Sequence, residues 1–210
     1  MAGDALKARL VAGAQALGIA LEPAPAAAMM RLMDELLDWN RRVNLTAITE
    51  PEDIVDKHLL DSLSIQPHLK GRRIADIGTG AGFPGIPLAL VNPKRQFTLI
   101  EATGKKVAFV RHALATLSIS NAEVIQARSE TWKPRVPFDC VIARALGKLG
   151  DFIHVAGHLC ARDGRMLAMK GRPPTAEIEV LPRGWQVVAL HLLDVPGLAA
   201  ARCVVELARA

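Results

Sequence analysis

The sequence predicts an α/β fold, a largely parallel sheet with helices on both faces, and three observations predict it. From Arg72 onward, short apolar runs alternate with helical stretches. A glycine-rich segment lies where the first of those strands gives way to a helix. The last two apolar runs follow each other with no helix between them. Strands that alternate with helices pair in parallel and need cover on both faces. At 210 residues, the chain has the length of one domain with a small appendage.

Residues 1–70 read as an N-terminal helical subdomain and residues 71–210 as one compact α/β unit. Met29, Leu32, Met33, Leu36 and Leu37 recur on one face of a helix entered through Pro23 and Pro25. Such a methionine stripe reads as core. A second helix begins near Pro51, with Thr49 and Glu52 spaced as a capping box, and runs through Ile54, Leu59 and Leu63. Strands are expected at 74–77, 97–100, 122–125, 138–143 and 166–169, with helices at 84–91, 105–117 and 151–159. Residues 185–193 and 202–207, separated by Asp194, Pro196 and Gly197, read as an antiparallel hairpin at the sheet edge.

Composition narrows the class. Half the residues are hydrophobic and 22% are charged, which excludes a mainly disordered chain. No window of about 20 residues is free of both charge and proline, so no membrane span is expected. Residues 1–10 carry Asp4, Lys7 and Arg9 and do not read as a signal peptide. The three cysteines, Cys140, Cys160 and Cys203, are scattered, which predicts a cytoplasmic protein with no disulfide framework and no metal site. The net charge is +5, unevenly spread: residues 1–70 hold 7 basic and 10 acidic side chains, and residues 71–210 hold 19 and 11. A basic body favours an anionic partner. Arginine-rich coding accounts for the same excess, so charge alone leaves nucleic acid at even odds.

The glycine-rich segment carries the chemistry. Asp76-Ile77-Gly78-Thr79-Gly80-Ala81-Gly82-Phe83-Pro84-Gly85 follows a strand and opens a helix, the edge where open α/β sheets bind ligands. Two templates overlay it. Gly80-x-Gly82-x-x-Gly85, with Glu101 downstream, is formally a dinucleotide fingerprint. Asp76-x-Gly78-x-Gly80-x-Gly82, with the same Glu101 for the ribose hydroxyls, is the S-adenosylmethionine loop of class I methyltransferases. The dinucleotide register starts two residues late, and Pro84 and Pro87 leave the helix start short of N–H donors, which suits a ligand without phosphate. The sheet outline, seven strands ending in a hairpin, agrees with a Rossmann-like class I S-adenosylmethionine-dependent methyltransferase. Topology places Ser129 and Glu130 after the third strand, where Glu130 is either an adenine acceptor or a solvated acid. It places Arg144 after the fourth strand, Lys170 and Arg172 after the fifth, and Lys105 and Lys106 at a helix start after the second. These cations gather beside the ligand edge, where an RNA would need them, whereas Arg72 and Arg73 fall at the opposite end.

The strings Asn44-Leu45-Thr46, His58-Leu59-Leu60-Asp61-Ser62-Leu63, the 76–88 segment, Glu101-Ala102-Thr103-Gly104-Lys105-Lys106, Ile142-Ala143-Arg144-Ala145 and Met169-Lys170-Gly171 strongly resemble the bacterial rRNA small-subunit methyltransferase G family, also called GidB. The resemblance runs from about Leu36 to the end. It implies methylation of N7 of one guanine in 16S rRNA, as free RNA or in a small-subunit particle, with S-adenosyl-L-methionine as donor and S-adenosyl-L-homocysteine as product. It places donor contacts on Gly78, Phe83, Glu101, Ala102, Thr103, Ser129, Glu130 and Arg144. Guanine N7 carries a lone pair and no proton, so no general base is expected, and the task of Arg144 is positioning. His58 and Asp61 imitate a dyad at i, i+3, but structural hydrogen bonds are the expected use. No long apolar heptad suggests a dimer, so a monomer is expected. Two rivals remain at this point: a nicotinamide oxidoreductase, whose fingerprint is out of register, and a non-catalytic RNA-binding protein, which leaves the glycines and Glu101 unexplained.

Overall fold

The computed structural model describes residues 2–210; of the segment 1–10, Met1 lies outside the described residues. Two helices come first, α1 (Ala2–Ala16) and α2 (Pro23–Asn40). Pro23 begins α2, where its missing N–H costs nothing, and Met29, Leu32, Met33 and Leu36 are all buried. A continuous helical run follows: α3 (Pro51–Ile54), a π-helical turn (Val55–Leu60) and α4 (Asp61–Leu63). Its cap is Glu50, with no side-chain capping bond, so the Thr49–Glu52 capping box does not form. Thr49 stands one residue too early, and Pro51 presets the first helical φ instead. Arg9 of α1 fastens to the run through paired bonds from its guanidinium to Asp56, 2.8 and 2.5 Å.

The sheet has seven strands in the order β3-β2-β1-β4-β5-β7-β6. They are β1 (Arg73–Ile77), β2 (Gln96–Glu101), β3 (Ala122–Gln126), β4 (Phe138–Arg144), β5 (Cys160–Lys170), β6 (Trp185–Leu193) and β7 (Arg202–Arg209). The first five pair in parallel, whereas β7 runs antiparallel to both β5 and β6. The expected hairpin is therefore present, with β6 at the edge and β7 inserted beside β5. Crossovers are made by α5 (Gly85–Val91), α6 (Gly104–Thr116) and α7 (Leu149–Ala156), with a short α8 (Thr175–Glu179) before β6.

Two apolar layers sandwich the sheet. One joins α1, α2 and the 51–63 run to α5, α6 and one sheet face, from Leu10 through Leu36 and Leu59 to Ile74, Phe109 and Val204. The other packs α7 on the opposite face, through Ala75, Val141, Phe152 and Val205. The N-terminal helices thus share a core with the sheet rather than owning one, and this seats His58 and Asp61 beside the carboxyl end of β4 and the start of β7.

Candidate functional site

The loop after β1 is held by its own side chains. Asp76 is fully buried at the strand end, and its Oδ2 accepts from the Thr79 hydroxyl at 2.6 Å and the Gly85 amide at 2.8 Å. Burial pushes its pKa up to about 6 against those bonds. Gly78 has φ +64°, a conformation that L side chains rarely adopt, and a Cβ there would lie 3.2 Å from Leu146. Gly85 is glycine for want of room: a Cβ would collide with Leu99 and lie 2.7 Å from the Asp76 carboxylate. The start of α5 offers no amide to a ligand. The Gly85 amide is taken by Asp76, the Ile86 amide by the Gly82 carbonyl and the Leu88 amide by the Pro84 carbonyl, while Pro87 has none. A pyrophosphate needs free N–H groups at this position.

Glu101, at the end of β2 and 7% exposed, is set by two amides: its Oε2 accepts from Gly80 at 3.0 Å and its Oε1 from Thr103 at 2.8 Å. A carboxylate fixed in this way keeps further lone pairs for hydroxyl donors. Gly78, Glu101, Ala102, Ser129, Glu130 and Leu146 meet around a cavity of about 160 Å³. Five of these six were expected from the sequence; Leu146 was not. Asp76, Gly80 and Gly82 shape the loop rather than the cavity wall. The residues suit a nucleoside whose ribose hydroxyls reach Glu101. Thr103 stands at the N-cap position of α6 without a side-chain capping bond, Lys105 is exposed and Lys106 half-buried in its first turn, and Arg172 is exposed beyond β5.

A second, open cleft of about 470 Å³ lies beside it, between the 51–63 run and the ends of β4 and β5. Asp61, 3% exposed, forms its centre and binds two guanidiniums. Its Oδ2 accepts from Arg144 at 3.1 Å and its Oδ1 from Arg202 at 3.0 Å. Arg144 also donates to the Lys57 carbonyl at 2.9 Å, on the π-helical turn, and to His58 Nδ1 at 3.3 Å. Its guanidinium lies over the Phe83 ring, 5.6 Å from the centroid, and His58 stacks on the same ring at 4.7 Å. Phe83, 3% exposed, therefore meets His58 and Arg144 rather than the wall of the smaller cavity.

His58 and Asp61 do not bond to each other. With Nδ1 accepting from Arg144, Nε2 carries the proton and donates to Thr46 Oγ1 at 2.9 Å. Burial first and the Arg144 charge second push its pKa down to about 4, so it is neutral at pH 7 with both nitrogens occupied. Both residues thus make structural bonds, but to Arg144, Arg202 and Thr46. Sequence reasoning missed Arg202, whose partner Asp61 is 141 positions away. Lys170 lines the same cleft but is tied inward, donating to Glu177 at 2.8 Å and the Gly147 carbonyl at 2.6 Å.

Comparison with known proteins shows the family. The rRNA small subunit methyltransferase G (GidB) family model matches residues 26–205. A Ribosomal RNA small subunit methyltransferase G from Xanthomonas oryzae pv. oryzae is 46% identical over 190 residues, 90% of each chain. One from an Azoarcus species is 44% identical over 202 residues, 96% of this chain and 95% of that one. Among solved structures, an S-adenosylmethionine-dependent methyltransferase from Thiobacillus denitrificans, in complex with S-adenosyl-L-homocysteine, superposes with TM-score 0.53 at 13% identity. The match covers 72% of this chain and 91% of that one, and it shows the class I methyltransferase fold. On the extent of the family match and the identity to these relatives, the chain belongs to the rRNA small subunit methyltransferase G family.

Proposed function

We propose that this protein transfers a methyl group from S-adenosyl-L-methionine to N7 of a guanine in 16S rRNA. The observation that carries the donor assignment is the α5 start, where every amide is spent on Asp76, Gly82 or Pro84, while Glu101 stands ready for hydroxyls. That pattern favours a nucleoside without phosphate over a dinucleotide. Gly78, Glu101 and Ala102 hold the donor's ribose side, and Ser129 and Glu130 hold its base. The bound donor supplies an electrophilic methyl on a sulfonium centre. The target base enters the adjoining cleft, where Arg144, fixed by Asp61, Lys57 and His58, sets its plane.

The nucleophile brings its own lone pair, so no side chain has to take a proton at the reacting atom. His58 is unfit for such a role, with both ring nitrogens committed and a depressed pKa. The work of these residues is alignment, which brings acceptor and donor to about 3 Å and is worth several powers of ten. Exposed Lys105 and Arg172, with half-buried Lys106, supply phosphate contacts around the mouth. The protein acts in the cytoplasm, a reading supported by three cysteines that are all free and buried. No described helix is long and apolar enough to cross a membrane.

Calorimetric titration with S-adenosyl-L-methionine and, separately, with NAD tests the donor: heat of binding is expected for the first alone. Replacing the target guanine of the RNA with 7-deazaguanine tests the acceptor, because carbon at that position has no in-plane lone pair. Methyl transfer to the deaza RNA would refute N7.

A further inference from the structure

Lys170 occupies the position in which a phosphate-binding lysine is expected, yet its ammonium is spent inside the protein. It ends β5, its side chain is 16% exposed, and it donates to both Glu177 carboxylate oxygens, at 3.1 and 2.8 Å, and to the Gly147 carbonyl at 2.6 Å. Glu177, on α8, is in turn bonded by the Leu149 amide at 2.6 Å, the first turn of α7. Burial opposes its charge, but the bonds from Lys170 and Leu149 outweigh burial and hold its pKa below the ordinary carboxylate value.

What this pair grips is the loop 145–148, which separates the two cavities. Ala145 lines the open cleft next to Arg144, and Leu146 lines the smaller cavity next to Gly78. Ala145 has φ +59° and Gly147 φ +68°. The left-handed conformation is unfavourable for alanine and persists only where the surroundings enforce it. Ala145, Gly147 and Lys148 are exposed and only Leu146 packs against the core, so packing alone does not enforce it. The polar fastenings do: Lys170 on the Gly147 carbonyl, Glu177 on the Leu149 amide, and Asp151 Oδ2 on the Lys148 amide at 3.2 Å.

We propose that Lys170 and Glu177 form a positioning strut that fixes the 145–148 loop, so that Lys170 serves methyl transfer by keeping donor and acceptor cavities in register and not by holding an RNA phosphate. The proposal rests on the reading of the two cavities given above. An anion cannot bind phosphate, so Glu177 separates the two roles. With a strut, Lys170→Met and Glu177→Gln lower the saturating single-turnover rate alike, by about 10- to 100-fold for a displacement of up to 1 Å. The double variant is then no worse than either single one, because the two residues act as one unit. Lys170→Arg, which keeps the charge, recovers most of the rate, and the salt slope of RNA binding stays as in the wild type.

With a phosphate contact instead, Lys170→Met flattens that slope by about one while the saturating rate holds, and Glu177→Gln frees the ammonium and tightens RNA binding. Either result overturns the proposal. So does a loss of melting temperature with an unchanged rate per folded molecule, which describes a purely structural pair. Failure of the functional reading itself looks different: the wild type then neither binds S-adenosyl-L-methionine nor methylates 16S rRNA.

Discussion

Gly78, Gly80 and Glu101 build one half of the proposed site largely from main chain, whereas Asp61, Arg144 and Arg202 build the other from side chains. The centre of the proposed donor half is local: its loop, its strand end and Glu101 lie within one strand-helix-strand unit, its shape depends on backbone conformation, and Ser129, Glu130 and Leu146 close the cavity from the loops after β3 and β4. The acceptor half is assembled from the helical run, the end of β4 and the start of β7, and a buried carboxylate with two guanidiniums holds it together. The difference predicts different modes of failure. A Cβ spoils the first half, and a lost charge spoils the second.

The largest effect is expected from Gly78→Val. Left-handed φ and the approach to Leu146 both oppose a branched side chain, and donor affinity should fall by about 100-fold or more, some 3 kcal/mol, with RNA binding retained. Titration calorimetry checks this, and wild-type affinity in a folded variant would break the division into halves. Asp61→Asn should do the reverse. It removes the counter-charge of Arg144 and Arg202 but keeps the shape, so the saturating single-turnover rate should drop by about 100-fold while donor titration is unchanged.

Third comes His58. Its folded pKa of about 4 lies below the unfolded 6.5, so as pH falls through that window the unfolded state binds the proton first and stability is lost. Asp76 works in the opposite sense: its folded pKa of about 6 exceeds the unfolded 3.8, so the folded state binds the proton first and gains stability as pH falls. His58→Gln should therefore remove most of the acid-side loss, on the order of 2 kcal/mol between about pH 7 and 4.5, in denaturant titrations. Its saturating rate should change only a few-fold and stay flat from about pH 6 to 9, because no base is required. A bell-shaped profile lost with His58 would contradict this. The smallest effects belong to the rim. Lys105→Ala and Arg172→Ala should each lower the salt slope of RNA binding by about one, and Arg72→Ala, at the far end of β1, by nothing measurable.

The same division explains what the sequence made legible. The glycine loop, its strand and Glu101 form a contiguous pattern with a fixed spacing, and the cavity forms where that pattern points. The Asp61–Arg202 contact joins residues 141 positions apart, and no local spacing encodes it. Strand β5 was expected only over 166–169 yet runs from Cys160 to Lys170, because Arg162, Asp163 and Arg165 interrupt the apolar run. The π-helical turn that brings the Lys57 carbonyl to Arg144 has no residue signature at all, since its amphipathic pattern reads as ordinary helix. Lys170 was legible as a position but not as a role. Its neighbour Glu177 follows two prolines on a five-residue helix that periodicity cannot detect.

Strand β7 follows β6 in the chain yet lies between β6 and β5 in the sheet. Until it docks, β6 has no place in the sheet and β5 keeps an open edge. Arg202 is the first residue of β7, and it supplies one of the two charges on Asp61. The acceptor cleft consequently depends on the last strand of the chain: the glycine loop and Glu101 belong to β1 and β2, whereas the Asp61 cluster is complete only with Arg202 of β7 seated in the sheet.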